Sequence, residues 1–152
     1  EYILSKKDGD CIFCGLPAED KDRDNLIIHR AAKNFVIMNR YPYNNGHLMV
    51  VPYFHTSSFE GLDAVSLSEM MELTRACTDA LTAVMRPEGF NIGLNMGAAA
   101  GAGIHEHLHM HIVPRWVGDS SFMAVLDEVR VVPEHLKETF DKLNVAFKKR
   151  RP

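Results

Sequence analysis

Five segments of the chain carry the apolar and β-branched pattern of β-strands. Each is short and is bounded by turn-forming residues or by a charged loop. The first two are separated only by Ala31 to Asn34, which predicts a hairpin. We predict strands at residues 26–30, 35–39, 47–52 and 90–96, and a fifth strand that begins at residue 105.

The fifth segment has an unusual alternation of side chains. Residues 105–111 read His-Glu-His-Leu-His-Met-His. In an extended strand alternate side chains share a face, so the four imidazoles would point one way while Leu108, Met110 and Ile112 point into a core. The segment therefore predicts a reactive surface on a packed strand.

Two longer segments have helical periodicity. Residues 66–85 repeat apolar side chains at i, i+3 and i+4, and Ser66-Leu-Ser-Glu69 has the pattern of a capping box at the start. Pro133 opens a second helix, predicted over 133–152. Its apolar stripe consists of Leu136, Phe140, Leu143 and Phe147.

This order of elements, with short connections between strands, favours an α+β fold: an antiparallel five-stranded sheet with two main helices. The length of 152 residues is typical of one compact domain. We expect a single domain over 1–152, in which 1–10 form a flexible lead-in and 133–152 the C-terminal helix.

Composition narrows the class of protein. A hydrophobic fraction of 46% and a charged fraction of 24% are typical of globular chains, and a net charge of −3 argues against nucleic acid as a partner. The chain has no apolar run long enough to span a bilayer and no N-terminal leader pattern. We therefore expect a cytoplasmic protein without membrane contact.

The cysteines suggest metal or redox chemistry. Two of the three form the pair Cys11-Ile-Phe-Cys14. A two-residue gap on a tight turn lets two thiolates converge on one tetrahedral ion, whereas three cysteines do not make a disulfide framework. An ordinary pair of half-buried thiols is the alternative.

The histidine segment permits two kinds of chemistry. A buried neutral imidazole such as His109 can attack phosphorus, with His111 donating to the developing charge and the amides of the Gly97 to Gly103 loop holding the phosphate oxygens. This predicts nucleotidyl or phosphoryl transfer through a phosphohistidine. Alternatively, imidazoles at i, i+2 could hold a catalytic zinc ion. His29, His47 and His135 lack such surroundings, and we expect them to be strand or surface residues.

His107-Leu-His109-Met-His111-Ile-Val113 resembles the motif of the histidine triad (HIT) superfamily of nucleotide hydrolases and transferases. The resemblance extends over roughly residues 11 to 135 and is closest to the bacterial diadenosine tetraphosphate phosphorylase branch. The segments that carry it are Cys11 to Cys14, Tyr43 to Pro52, Asn91 to Asn95 and Glu106 to Trp116.

The resemblance implies roles for individual residues. His109 would attack the α-phosphorus of a dinucleoside polyphosphate and form a nucleotidyl-histidine, with His111 on the phosphate or leaving-group oxygen and His107 completing the triad. Asn39 matches a ribose-binding position. The phosphate-binding positions are Asn95, Gly101, Ala102 and Gly103. Gly103-Ile-His-Glu106 replaces the Gln-Ser pair common in the wider family.

The resemblance also implies a cofactor and partners. Cys11, Cys14, His55 and His107 match a structural zinc set, and no organic cofactor is expected. Inorganic phosphate or water would resolve the intermediate, and a homodimer is the expected assembly. A hydrolase or phosphoramidase, or a zinc-stabilised nucleotide-binding module without turnover, remains an alternative.

Overall fold

A computed structural model describes residues 11–101, 107–119 and 133–150, with residues 133 and 134 given as backbone alone. The predicted lead-in 1–10 lies outside these ranges, as do Ala102, Gly103, His105 and Glu106. The five strands are β1 (Ile27–Arg30), β2 (Asn34–Met38), β3 (Leu48–Pro52), β4 (Gly89–Leu94) and β5 (Met110–Arg115).

The strands form one sheet in the order β1-β2-β3-β5-β4, and every neighbouring pair is antiparallel. The predicted α+β class and the predicted hairpin of β1 and β2 are confirmed. Every residue of β2 and β3 is buried, whereas β4 is an edge strand with an exposed middle. β5, which contains the second half of the histidine motif, lies between β3 and β4.

Four α-helices lie in the described ranges: α1 (Ile12–Gly15), α2 (Asp22–Asn25), α3 (Ala64–Met85) and α4 (Pro133–Lys149). The long helices α3 and α4 pack against each other and against the sheet. The predicted apolar stripe of α4 is buried, although the helix ends at Lys149 instead of continuing to 152. No helix in the described part of the chain has the length and hydropathy needed to cross a membrane.

The predicted capping box at Ser66 is wrong. Helix α3 begins two residues earlier, where the Asp63 carboxylate accepts a hydrogen bond from the Ser66 backbone N–H at 2.8 Å. Glu69 instead accepts hydrogen bonds from the backbone N–H groups of Ala32 and Lys33 and from the side chain of Asn34. A long-range contact therefore uses the carboxylate that the local pattern assigned to the helix end.

The fifth strand also begins later than predicted, at Met110. Upstream of it the Leu108 backbone N–H donates to the Thr56 carbonyl at 2.7 Å, so the chain there is bonded to the segment that follows β3. The expected burial of Leu108, Met110 and Ile112 is confirmed. One cluster of buried side chains joins residues 11 to 147. A single domain over the whole chain stays a prediction.

Candidate active site and metal centre

Four potential metal ligands converge beside the sheet. Cys11, Cys14, His55 and His107 each offer one ligand atom, and these atoms all lie within 4.8 Å of one another. Helix α1 places the two thiols, because the Cys11 carbonyl accepts hydrogen bonds from the backbone N–H groups of Cys14 and Gly15. His55 follows β3, and His107 precedes β5. The fold therefore assembles all four residues of the predicted zinc set.

The distances within this group fit a tetrahedral ion. The His107 Nδ1 atom lies 3.3 Å from Cys11 Sγ, 3.6 Å from Cys14 Sγ and 3.2 Å from His55 Nδ1. Zinc bonds of ordinary length in a tetrahedron separate two nitrogens by about 3.3 Å and nitrogen from sulfur by about 3.6 Å. Two sulfurs and two nitrogens at such spacings could hold zinc.

A hydrogen bond to the main chain selects the tautomer of the neutral His107 ring. Its Nε2–H donates to the Pro52 carbonyl at 2.7 Å. A carbonyl only accepts, so in the neutral ring Nδ1 carries the lone pair that faces the other ligands. Metal-binding histidines commonly use their second nitrogen in this way. The ring of His107 is buried in the ligand group.

His109 is oriented by the main chain of His107. Its Nδ1–H donates to the His107 carbonyl at 2.9 Å, which leaves the lone pair of the neutral ring on Nε2. The side chain is buried, and its burial lowers the pKa of His109 below the usual histidine value. At neutral pH this ring is therefore an uncharged base with one available nitrogen, which is the form required of a nucleophile.

His111 is paired with His47, a residue that sequence reasoning left as an ordinary strand position. The His47 Nε2 atom lies 2.8 Å from His111 Nδ1, and His47 Nδ1 accepts a hydrogen bond from the Tyr43 backbone N–H at 3.1 Å. In the neutral ring the His47 proton is therefore on Nε2, from which it donates to His111 Nδ1. The neutral His111 ring then carries its proton on Nε2.

Burial and mutual repulsion keep this pair uncharged. The pKa of His47 is lowered to about 3, mainly by burial and to a smaller extent by the neighbouring imidazoles of His111 and His109. The pKa of His111 is lowered to about 4, mainly by burial and to a smaller extent by the neighbouring imidazole of His109. Like charges at such short distances oppose one another, and each ring is partly removed from water. The site consequently presents neutral imidazoles with defined donors and acceptors.

The strand register explains why His47 reaches His111. Met49 of β3 pairs with His111 of β5, and His47 lies two residues before Met49 on the same face. Diagonal neighbours in an antiparallel pair are within reach of long side chains. The strand at 47–52 was predicted from the sequence, but its pairing with the histidine strand was not.

The structure describes two of the four predicted phosphate-binding positions, Asn95 and Gly101. Leu94 is the last residue of β4 and pairs with Met110, the first residue of β5, and Asn95 comes directly after it. Gly101 has a φ of +85° and ends the short helical turn Ala98–Ala100. Ala102 and Gly103 lie outside the described residues. The described part of the glycine-rich loop therefore leads away from β4 beside the histidine site.

Asn39, the predicted ribose-binding residue, organises the loop between β2 and β3. Its side-chain oxygen accepts a hydrogen bond from the Tyr41 backbone N–H at 2.9 Å, and its Nδ2 lies 3.4 Å from His47 Nδ1. An amide side chain has further donor and acceptor capacity beyond these two contacts. Its position beside His47 is therefore compatible with both a loop contact and a ligand contact.

Comparison with known proteins identifies relatives of this chain. The HIT domain family model matches residues 20–118. An AP-4-A phosphorylase of Mycobacterium tuberculosis is 42% identical over 118 residues, which cover 78% of this chain. The aligned part spans 60% of that relative's length, so the relative contains a substantial region without a counterpart in the match.

Solved structures share the fold at lower identity. A hypothetical histidine triad nucleotide-binding protein from Sulfolobus tokodaii superposes with a TM-score of 0.77 at 23% identity, covering 91% of this chain and 93% of that one. A Zn-bound histidine triad family protein from Mycobacterium smegmatis gives 0.75 at 24% identity, covering 94% and 96%. These similarities extend over nearly the whole of both chains.

Acidification should destabilise the fold through the His47–His111 pair. Both pKa values lie below the ordinary 6.5 in the folded chain, so the unfolded chain binds protons first and the free energy of unfolding falls as pH drops from about 6.5 towards 4. Urea unfolding at pH 7 and pH 5 should show that His47→Gln reduces this fall by about 1–2 kcal/mol.

The exposed helix residue His135 provides the matched control, because it has no described contact with the pair. His135→Gln should keep the wild-type pH dependence. If the His47 variant also keeps it, the buried neutral pair does not contribute to acid sensitivity. The comparison uses the change in stability between the two pH values, so a uniform cost of the substitution cancels.

Proposed function

We propose that this chain, which belongs to the HIT domain family, is a nucleotidyl-transfer enzyme that cleaves dinucleoside polyphosphates by phosphorolysis. The observation that carries the proposal is the 2.9 Å hydrogen bond from His109 Nδ1–H to the His107 carbonyl. It leaves Nε2 as a neutral nucleophile in a buried histidine cluster. The family match confirms the resemblance seen in the sequence.

The substrate class rests on the relative and on the site together. The 42% identical relative is an AP-4-A phosphorylase, and the match extends over 118 residues of this chain. We therefore infer diadenosine tetraphosphate, or a close analogue, as the substrate. Because this chain spans about 60% of that relative, the activity of the whole relative is carried over here as a proposal.

In the first step the lone pair on His109 Nε2 forms a bond to the α-phosphorus, and the bond from that phosphorus to its bridging oxygen breaks. The leaving nucleotide, ATP in the case of diadenosine tetraphosphate, takes the electron pair. The ring becomes a nucleotidyl-imidazolium, and its Nδ1–H remains bonded to the His107 carbonyl. A charged donor strengthens that hydrogen bond, so the intermediate is stabilised where it forms.

In the second step an oxygen of inorganic phosphate attacks the same phosphorus. The P–N bond breaks, its electron pair returns to Nε2, and ADP is released with His109 neutral again. We propose that His111 Nε2–H donates to a phosphate or leaving-group oxygen, while His47 holds His111 in the required tautomer. His107 acts through its carbonyl and is a positioning residue.

We assign phosphate binding to Asn95, Gly101, Ala102 and Gly103, and ribose binding to Asn39. Asn95 comes directly after Leu94, which pairs with Met110 next to His109, and positive φ at Gly97 and Gly101 lets the loop between them turn sharply. Backbone amides in such a loop can approach phosphate oxygens closely. These placements support the assignments made from the sequence.

Two related activities use the same first step. A HIT-type hydrolase would resolve the intermediate with water, and a phosphoramidase would start from a phosphorus–nitrogen bond. A nucleotide-binding module would retain the pocket without turnover. A catalytic zinc on the triad is less favoured, because His109 and His111 are not members of the four-ligand group found among the described residues.

The products should distinguish these activities. Diadenosine tetraphosphate incubated with labelled inorganic phosphate should give ATP and labelled ADP, and His109→Ala should lower the rate by about 10⁴-fold or more, since it removes the nucleophile. Chromatography of the products with and without phosphate provides the measurement. His29→Ala removes a histidine of β1 that lies against Phe147, away from this cluster, and should retain activity.

AMP and ATP as products, with all of the label remaining in inorganic phosphate, would indicate hydrolysis instead of phosphorolysis. Turnover unchanged in His109→Ala would remove the covalent mechanism altogether. Binding of the dinucleotide without products would favour the module that lacks turnover. Each outcome requires the variant to be folded, which circular dichroism can establish.

We further propose that Cys11, Cys14, His55 and His107 hold a structural zinc ion. When bound, zinc would cross-link the N-terminal turn to the segments that flank β3 and β5. The sulfur and nitrogen donors and their spacings support zinc over harder cations, which prefer oxygen. None of the three cysteines forms a disulfide, which fits a reducing, cytoplasmic location.

Metal analysis should find about one zinc ion per chain, and Cys14→Ala should lose most of it because three ligands remain from a closed set of four. Cys77→Ala is the matched control, since Cys77 is buried on α3 outside the group. A chelator should lower the unfolding temperature of the wild type towards that of Cys14→Ala. Equal zinc content in all three proteins would contradict this assignment.

We also propose that two copies pair through β4. Among the described residues β4 has a strand partner on one side alone, and its middle is exposed, including Ile92 at 47%. An unpaired edge can continue the sheet into a second copy about a two-fold axis. Such pairing would also cover the exposed Ile92.

Light scattering should therefore give about twice the chain mass of 17.1 kDa for the wild type, and Ile92→Lys should shift it towards the monomer. The lysine would place a charge on the edge that the second copy covers. Val145→Lys changes an apolar residue of similar exposure, 53%, on α4 and should keep the dimer mass. A monomeric wild type would overturn the proposed pairing.

A further inference from the structure

Tyr43 is an exposed aromatic residue that lies against the proposed catalytic histidines. Its ring centroid is 4.7 Å from that of His47 and 5.7 Å from that of His111, and it stacks on His111 at 26°. The side chain is nevertheless 57% exposed. Burial in the core therefore does not account for its position.

The loop that carries Tyr43 is held at several points. The Tyr43 backbone N–H donates to His47 Nδ1, and the Asn44 side chain donates to the Pro114 carbonyl at 3.1 Å and to the Asp119 carboxylate. Gly46 has a φ of +85°, and a Cβ there would lie 2.6 Å from Met85 Sδ. The ring is thus presented by an anchored loop, which reduces the entropy lost when a ligand stacks on it.

The position of the ring indicates which part of a substrate it can reach. It contacts His111, the proposed partner of the leaving-group oxygen, whereas His109 retains the transferred nucleotide. The exposed aromatic surface of the ring is therefore a feature that the site offers to a ligand. Aromatic side chains stack on nucleobases without requiring a particular sequence or edge.

We propose that Tyr43 forms a stacking surface for the purine base of the leaving nucleotide. The inference rests on the proposed function and extends it, because it explains how the site would favour a substrate with two nucleosides over one with a bare polyphosphate. Tyr43 is then a specificity-determining residue. The base would stack on the exposed part of the ring while the polyphosphate passes His111.

A different role for the same ring would be to shield the His47–His111 pair from water. Shielding would affect every substrate that uses His111, with or without a second base. Stacking would affect only substrates that carry that base. The two roles can therefore be separated by comparing a dinucleoside ligand with a mononucleoside ligand that has the same number of phosphates.

Calorimetry with the α,β:α′,β′-bismethylene analogue of diadenosine tetraphosphate and the α,β-methylene analogue of adenosine 5′-tetraphosphate makes this comparison without turnover. Tyr43→Ala should weaken binding of the dinucleoside analogue about tenfold and leave binding of the mononucleoside analogue unchanged. Tyr43→Phe should bind both as the wild type does. Tyr41→Ala is the matched control, since Tyr41 lies in the same loop and is 82% exposed.

Equal weakening of both analogues by Tyr43→Ala, or unchanged binding of both, would overturn the stacking role. A tenfold loss that Tyr41→Ala reproduces would overturn it as well, because the effect would then belong to the loop. If the wild type binds neither analogue, the proposed function itself fails and the stacking role fails with it. That result differs from every outcome in which the wild type binds.

Discussion

The hydrogen bond from His109 Nδ1–H to the His107 carbonyl links the two halves of the candidate site. Its acceptor belongs to a residue whose ring lies among the potential metal ligands, and its donor belongs to the proposed nucleophile. Because a carbonyl only accepts, this single contact determines which nitrogen of His109 is available. The position of His107 thus determines the orientation and the tautomer of its neighbour.

The side chain of Phe13 makes a second connection between these groups. It lies between the two cysteines in the sequence, and its buried ring is 5.6 Å from the ring of His107 and 5.0 Å from that of His109. The Cys11 to Cys14 turn therefore contacts the proposed nucleophile, His109, through the packing of Phe13. A structural metal ion in this family member would support the chemistry without touching the substrate.

The candidate site also depends on histidines that are uncharged. Four imidazoles lie together at β3 and β5: those of His47, His107, His109 and His111. Burial lowers the pKa of His47, His109 and His111 and so opposes their protonation. Because the rings of His47, His109 and His111 favour the uncharged form, directional hydrogen bonds decide their tautomers. Those bonds come largely from main-chain groups, whose positions follow from the fold.

The sequence by itself determined the α+β class, the apolar faces and the motif that brought His109, His111 and the zinc set together as candidates. The class, the apolar faces and the histidine motif depend on local periodicity and residue type, whereas the complete zinc set was implied by the family resemblance. The wrong predictions concern residues whose partners are distant in the sequence. Glu69 accepts hydrogen bonds from the turn between β1 and β2 instead of capping α3. β5 begins at Met110 because the Leu108 N–H donates to the Thr56 carbonyl. Only the tertiary structure could add His47 to the site, since the β3–β5 register that places it beside His111 is absent from local sequence.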